Sequence, residues 1–171
     1  HELPDETMHI TIDKSLASLI FLAESDDGVS TEASNVSANV SATRNKLKSI
    51  LEKMTSEMDG LIASAIVSID DGLQVEQVSK RSDIDSESAS AYLAKVVESN
   101  REALRLMGWD RQPEDILITT HDSYFIIRQL PGDTFFLFVL TTRDEWIGRT
   151  RYQMAAYADE LAANLELMQK K

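Results

Sequence analysis

Three consecutive residues, His121, Asp122 and Ser123, have the types a hydrolytic triad needs. In such a triad a serine hydroxyl attacks, an imidazole takes its proton, and a carboxylate holds the imidazole in place. Neighbours in a tight turn point away from one another, so THDS reads as an exposed connection between two strands. The other histidines, His1 and His9, stand in an acidic N-terminal stretch. Metal chemistry has as little to work with. The chain has no cysteine and no paired histidines at helical spacing, and Asp70-Asp71-Gly72 lacks the spaced acids and closing glutamate of a calcium loop. The glycines fall one to a turn, where none can build a phosphate cradle. The carboxylate pairs Asp26-Asp27, Asp70-Asp71 and Asp144-Glu145 sit in loops or at helix starts. Asp144-Glu145 reads as the cap of the last helix, where acids near the N-terminus gain about 0.3–1 kcal/mol from the dipole. With no nucleophile–base pair, the residues predict a chain that is not an enzyme and holds no cofactor.

Composition narrows the field further. The 171 residues suit one ordinary domain, and the 43% apolar content allows a core of normal size. The absence of cysteine suits a reducing compartment, and the expected location is the cytoplasm. No apolar run approaches the roughly 18 residues of a membrane span. Seventeen basic residues stand against 29 acidic ones, for a net charge of −12, with no basic run. DNA, RNA and anionic lipid, which need a clustered basic face, are poor partners. The charge is uneven: residues 1–42 carry eight acids against Lys14 alone.

The elements follow from hydrophobic periodicity. Within residues 1–25, Met8–Asp13 alternates like a strand and the next dozen residues read as a helix. Residues 26–41 have the small, polar composition of a linker. Two glycosylation sequons there, Asn35-Val36-Ser37 and Asn39-Val40-Ser41, read as coincidence in a Ser/Asn-rich segment. A domain is expected over 42–171. It opens with an amphipathic helix over 42–58, inward at Leu47, Ile50, Leu51, Met54 and Met58. Strands over 61–69 and 73–79 meet at Asp71-Gly72, a dipeptide suited to a tight primed turn. A long helix over 85–107 has Ala89, Tyr92, Leu93, Val96, Val97, Asn100, Ala103, Leu104 and Met107 on its apolar arc, and Gly108 stops it. Strands follow over 116–119, 124–130 and 134–141; the last is almost continuously apolar, as a strand covered on both faces must be. A final helix spans 144–170. The order α-β-β-α-β-β-β-α makes an α+β fold, a five-stranded antiparallel sheet with three helices.

Two surfaces stand out once catalysis is set aside. Beside the apolar arc of the long helix lie Ser90, Ala94 and Arg101, then Glu98 and Arg105. Small residues next to salt-bridging ones would let a second helix approach, with Tyr92, Lys95, Glu102 and Leu106 widening the contact. The second surface is Ile116–Thr119, a short apolar strand expected at a sheet edge, where unpaired backbone invites another chain.

Three segments resemble the Roadblock (roadblock-type dynein light chain) domain, including bacterial relatives that work with Ras-like GTPases. They are MDGLIASAIVSIDDGLQV, the meander ILIT…YFIIRQLPGDTFFLFVLT, and DEWIGRTRYQM, where Gly148 and Arg149 resemble the family's usual opening of the last helix. The resemblance covers about residues 43–170. Trp146-Ile147 departs from it, since many members have a small polar residue there. What it implies is a profilin-like sandwich and a homodimer formed by Ile116, Ile118 and the long helix. It also implies a regulatory or scaffold role toward a small Ras-like GTPase, whose own switch residues would be repositioned. HITIDKSLASLIFLAESDD resembles the closing strand and helix of a small domain found upstream of bacterial Roadblock domains, so residues 1–25 are expected to be the remnant of a neighbour. A different class fits the same element order: a PAS-like ligand-sensing module, with Tyr124, Phe125, Phe135, Phe136 and Phe138 lining a pocket beside the sheet.

Overall fold

The structure, a computed structural model, describes residues 30–109, 111 and 113–170. The strand and helix expected within residues 1–25 lie outside them. Among the described residues the elements are α1 (Ser30–Ser56), β1 (Leu61–Ser68), β2 (Gln74–Ser79), α2 (Ser86–Leu106), β3 (Ile116–Thr119), β4 (Ser123–Gln129), β5 (Phe135–Thr142) and α3 (Ile147–Gln169). Ser41–Lys171 forms one compact unit. The expected order is present, and the largest shift of a boundary is at the start of the first helix. The first helix begins at Ser30 and so runs through residues read as linker. No glycine or proline falls between Gly28 and Gly60, and Ser, Asn and Thr each disfavour a helix by only fractions of a kcal/mol.

The five strands pair antiparallel in the order β2-β1-β5-β4-β3. β5 is the middle strand, and its side chains alternate between two cores. Leu137 and Val139 join Ile66 and Ile126 beneath α1 and α3, against Leu47, Leu51, Met54, Met154, Leu161 and Leu165. Phe136, Phe138 and Leu140 join Ala63, Ala65, Val67 and Ile127 beneath α2, against Leu93, Ala94 and Val97. Two helices therefore cover one side of the sheet and a single helix covers the other.

The β1–β2 connection differs from a two-residue primed turn, which needs positive φ at its first central residue, here Asp71. Only Gly72 has it, at φ +68. Ser68 N–H donates to the Leu73 carbonyl at 2.9 Å, closing a loop from Ile69 to Gly72. Ile69 parts from β2 but stays bonded on the β5 side, its N–H donating to the Thr134 carbonyl at 2.9 Å, and its side chain continues the buried face of β1 at 2% exposure. Gly72 also permits a close approach, since a Cβ there would stand 2.8 Å from Ala91 Cα on α2.

Asp144-Glu145 does not cap the last helix. α3 starts later, its cap residue Trp146 makes no side-chain cap bond, and no acid occupies its first turn. Glu145 turns back instead and accepts the Gly60 N–H at 2.9 Å, satisfying the corner after α1. Lys80 Nζ donates to the Met58 carbonyl at 2.9 Å in the same corner. The cap of α2 is Asp85, whose carboxylate accepts the Ser88 N–H at 2.9 Å. Bonding to Ser88 holds its pKa below the usual carboxylate value.

Where α1 meets α3, Tyr157 donates to Glu57 Oε1 at 2.9 Å. Burial, then the Glu57 bond, pushes its phenol from 10 up to about 12. A raised acid pKa keeps the proton longer in the folded state than in the unfolded one. The unfolded chain therefore ionises first, and stability falls as pH rises from 10 to about 12. Urea unfolding across that window is expected to show wild type losing stability faster than Tyr157→Phe; parallel losses would refute the assignment.

Candidate partner interface

α2 turns a mixed face to the sheet. Its buried residues are Ser86, Ser90, Leu93, Ala94 and Val97. Small side chains face the sheet because the surface beneath is close. Ala63 and Ala65 line it, and Gly72 lies against Ala91 and Ala94. The serines are satisfied locally: Ser86 donates to Gln74 Oε1 at 3.0 Å and Ser90 to the Ser86 carbonyl at 2.6 Å.

This contact rotates the helix away from the orientation its large apolar residues suggest. Tyr92 and Val96, read from the sequence as inward, face solvent, Tyr92 at 70% exposure. With 100° per residue, Tyr92, Val96, Ser99, Ala103 and Leu106 share an arc of about 80°. Leu106 is 73% exposed, and Met107 and Trp109 continue the exposed apolar surface past the helix end. Ser99 and Ala103 are exposed as well. The result is an apolar stripe along the outer flank of α2 that no other described element covers.

The sequence-derived interface residues divide accordingly. Tyr92, Lys95, Glu98, Glu102 and Arg105 are exposed. Lys95 Nζ sits 5.3 Å from the Tyr92 ring centre, and Arg105 Nε donates to Glu102 at 2.8 Å. Ala94, in contrast, is core, at 3% exposure. Arg101 is half-buried and occupied, with Nε donating to Gln129 Oε1 at 2.8 Å and Nη2 to the Asp133 carbonyl at 3.0 Å. Ile116 and Ile118 are half-buried against the α2-side core. β3 is a sheet edge, as expected, and Leu117 on it is exposed. Val96 and Ala103 lie on the exposed stripe, although the sequence reading turns them inward. The signal for them was the run of Ser86, Ser90 and Ala94 at helical spacing opposite an alanine-rich strand, which marks a close helix–sheet contact.

His121 lies in the exposed β3–β4 turn with Nε2 3.7 Å from Asp122 Oδ1. Ser123 is bound to Thr120, its N–H donating to Thr120 Oγ1 at 3.0 Å. No hydrogen bond among the described residues joins Ser123 to His121. Nor do the described residues group three or more His, Asp or Glu side chains fit to hold a metal. None of the described helices is long and apolar enough to cross a membrane. The aromatic residues proposed for a ligand pocket are largely packing: Phe136 and Phe138 are fully buried, and Phe125 stacks on Phe138 at 5.7 Å.

Comparison with solved structures settles the architecture. A Roadblock/LC7 domain from Streptomyces avermitilis superposes with a TM-score of 0.63 at 15% identity, over 70% of this chain and 97% of that one. Myxococcus xanthus MglB gives 0.67 at 17% identity, over 74% and 92%. The gliding protein MglB from Thermus thermophilus gives 0.65 at 12% identity, over 73% and 92%. The fold is that of the Roadblock domain. No protein-family model matches the sequence, and no curated protein sequence matches it either.

Within this Roadblock fold, the opening of the last helix has defined partners. Arg149 Nη2 donates to the Glu57 carbonyl at 2.6 Å, tying α3 to the end of α1. Gly148 lies under the Trp146 indole, which a Cβ would approach to 3.2 Å. Of the departing pair, Trp146 is exposed, while Ile147 packs against the core beneath α1 and α3.

Proposed function

We propose that this chain is a non-catalytic regulatory module that forms a twofold homodimer through α2 and β3 and binds a small Ras-like GTPase, modulating its GTP hydrolysis. The observation that carries the reading is the apolar stripe of α2 that the other described elements leave uncovered, on a protomer whose β3 edge pairs on its outer side with no other described strand. A twofold contact uses the same patch on both copies, and a stable one buries roughly 800 Å² per partner. The interface is assigned to Tyr92, Lys95, Val96, Glu98, Glu102, Ala103, Arg105, Leu106, Ile116, Leu117 and Ile118. Ala94 and Arg101 support it from beneath. The GTPase rests on the Roadblock fold and on the resemblance to bacterial members that work with Ras-like GTPases.

The arginines bear on the mechanism. Arg101, Arg105, Arg143 and Arg149 all have partners within the protomer: Gln129, Glu102, Tyr124 and the Glu57 carbonyl. An arginine finger must be free to reach a transferring phosphate. Repositioning the GTPase's own switch residues needs only a shaped surface, and it fits these arginines better. The working unit is residues 42–171, acting in the cytoplasm.

The decisive experiment mixes the protein with Ras-like GTPases from the same genome, loaded with GDP or a non-hydrolysable GTP analogue. Binding to one nucleotide state is expected; equal or no binding to every GTPase refutes the partner. Val96→Arg with Leu106→Arg is expected to halve the mass seen by light scattering, and an unchanged mass refutes the dimer surface.

A further inference from the structure

The outward side of α3 carries large side chains that no other described element covers. Trp146 and Tyr152 are each 74% exposed, and Leu167 is exposed near the other end. The inward side is complete without them, since Thr150, Met154, Tyr157, Ala158, Leu161, Ala162 and Leu165 are buried. The indole of Trp146 is seated across the first turn, over Gly148. Trp, Tyr and Arg with their orientation already set are the residues that dominate binding surfaces.

Helical geometry places Gly148, Tyr152, Ala155, Ala156, Asp159 and Ala163 on one outward face, and all are exposed. The exposed charges on this helix are segregated: Arg149 and Arg151 in its first half, Asp159, Glu160 and Glu166 in its second. Parallel pairing of two such helices stacks like charge on like. Antiparallel pairing brings the basic half of one copy against the acidic half of the other.

We propose that this face of α3 is a second self-association surface, docking antiparallel on α3 of a second copy about a twofold axis near Ala155 and Ala156. About that axis the alanines meet each other, and the backbones approach closely. Tyr152 lies opposite Asp159 of the second copy, hydroxyl to carboxylate, and Gly148 lies opposite its Ala163. Every pairing occurs twice, as a twofold contact demands. The helix has 23 residues and is about 35 Å long, long enough for an extended contact. α2 and α3 lie on opposite sides of the sheet, so this surface operates independently of the dimer proposed above.

The absence of cysteine makes the test direct. Ala156→Cys reports on the α3 contact and Ala103→Cys on the α2 contact, each in the full chain with a short bismaleimide at micromolar protein. Ala156→Cys is expected to give a two-copy product. Adding Tyr152→Glu, which sets like charge against Asp159 of the second copy twice over, is expected to abolish it and to weaken self-association about 30-fold in sedimentation equilibrium, while cross-linking at Ala103→Cys is unchanged. Unfolding of the Tyr152→Glu variant should match wild type, since the side chain is exposed; Ala156→Arg repeats the test at a second position. Single-copy Ala156→Cys beside cross-linked Ala103→Cys overturns this inference and leaves the α2 dimer standing. The reverse pattern supports it and removes the α2 dimer. A product that survives Tyr152→Glu also overturns it.

Discussion

Phe138→Ala is expected to lower the unfolding free energy by about 3–5 kcal/mol, the range for emptying a buried phenylalanine site. Phe138 is 1% exposed at the middle of β5. It pairs with Ala65 on one side and Ile127 on the other. Both neighbouring strands are hydrogen-bonded to β5, so the backbone cannot collapse into the space left. Domains of this size are stable by only about 5–15 kcal/mol, so the variant should unfold at far lower denaturant. The comparison is Phe125→Ala, whose half-buried ring stacks on Phe138 and should cost less. The result also decides between readings. If the aromatic cluster were a ligand pocket, removing Phe138 would leave the denaturation midpoint close to wild type.

Gly72→Ala is the second large effect, expected at about 2–5 kcal/mol from two additive sources. A φ of +68 strains any L side chain by about 1–2 kcal/mol. The added Cβ also meets Ala91 Cα at 2.8 Å, and overpacking against backbone costs about 1–3 kcal/mol. Gly108 separates the two. It has φ +76, but nothing lies within 4 Å of where a Cβ would stand. Gly108→Ala should therefore show the conformational part alone, about 1–2 kcal/mol. Thermal unfolding of both variants is the measurement. Equal losses would mean that α2 does not rest on the hairpin.

The contrast between these glycines shows where the amino-acid order stops being informative. Asp71-Gly72 announces a reversal, and a reversal is there. Whether two residues or four make it depends on Ile69, whose N–H is held by the Thr134 carbonyl at 2.9 Å and whose side chain sits in the core beneath α2. Glu145 is similar. An acid just before a helix reads as a cap by local rules, yet its partner is Gly60, 85 residues away. Local patterns carry no information about a donor that only the folded chain brings near.

Element order was readable throughout the described domain. Period-2 alternation marks β1, the unbroken apolar run marks β5 as a central strand, and Leu47 through Met58 mark the inner face of α1. These faces are set by hydrophobic burial, which is proportional to apolar area and so visible in residue type. The candidate interface was legible only in part. Its helix and its edge strand could be named, but not the face of the helix. That face depends on how near α2 comes to the sheet, and the nearness is set by Ala63, Ala65 and Gly72 on other elements. A close contact selects small side chains, so Ser86, Ser90 and Ala94 turn inward while Tyr92, Val96 and Leu106 are left on the flank. Burial by size determined the fold from sequence alone; the distance between two packed layers, which no single segment encodes, decided which surface remains for a partner.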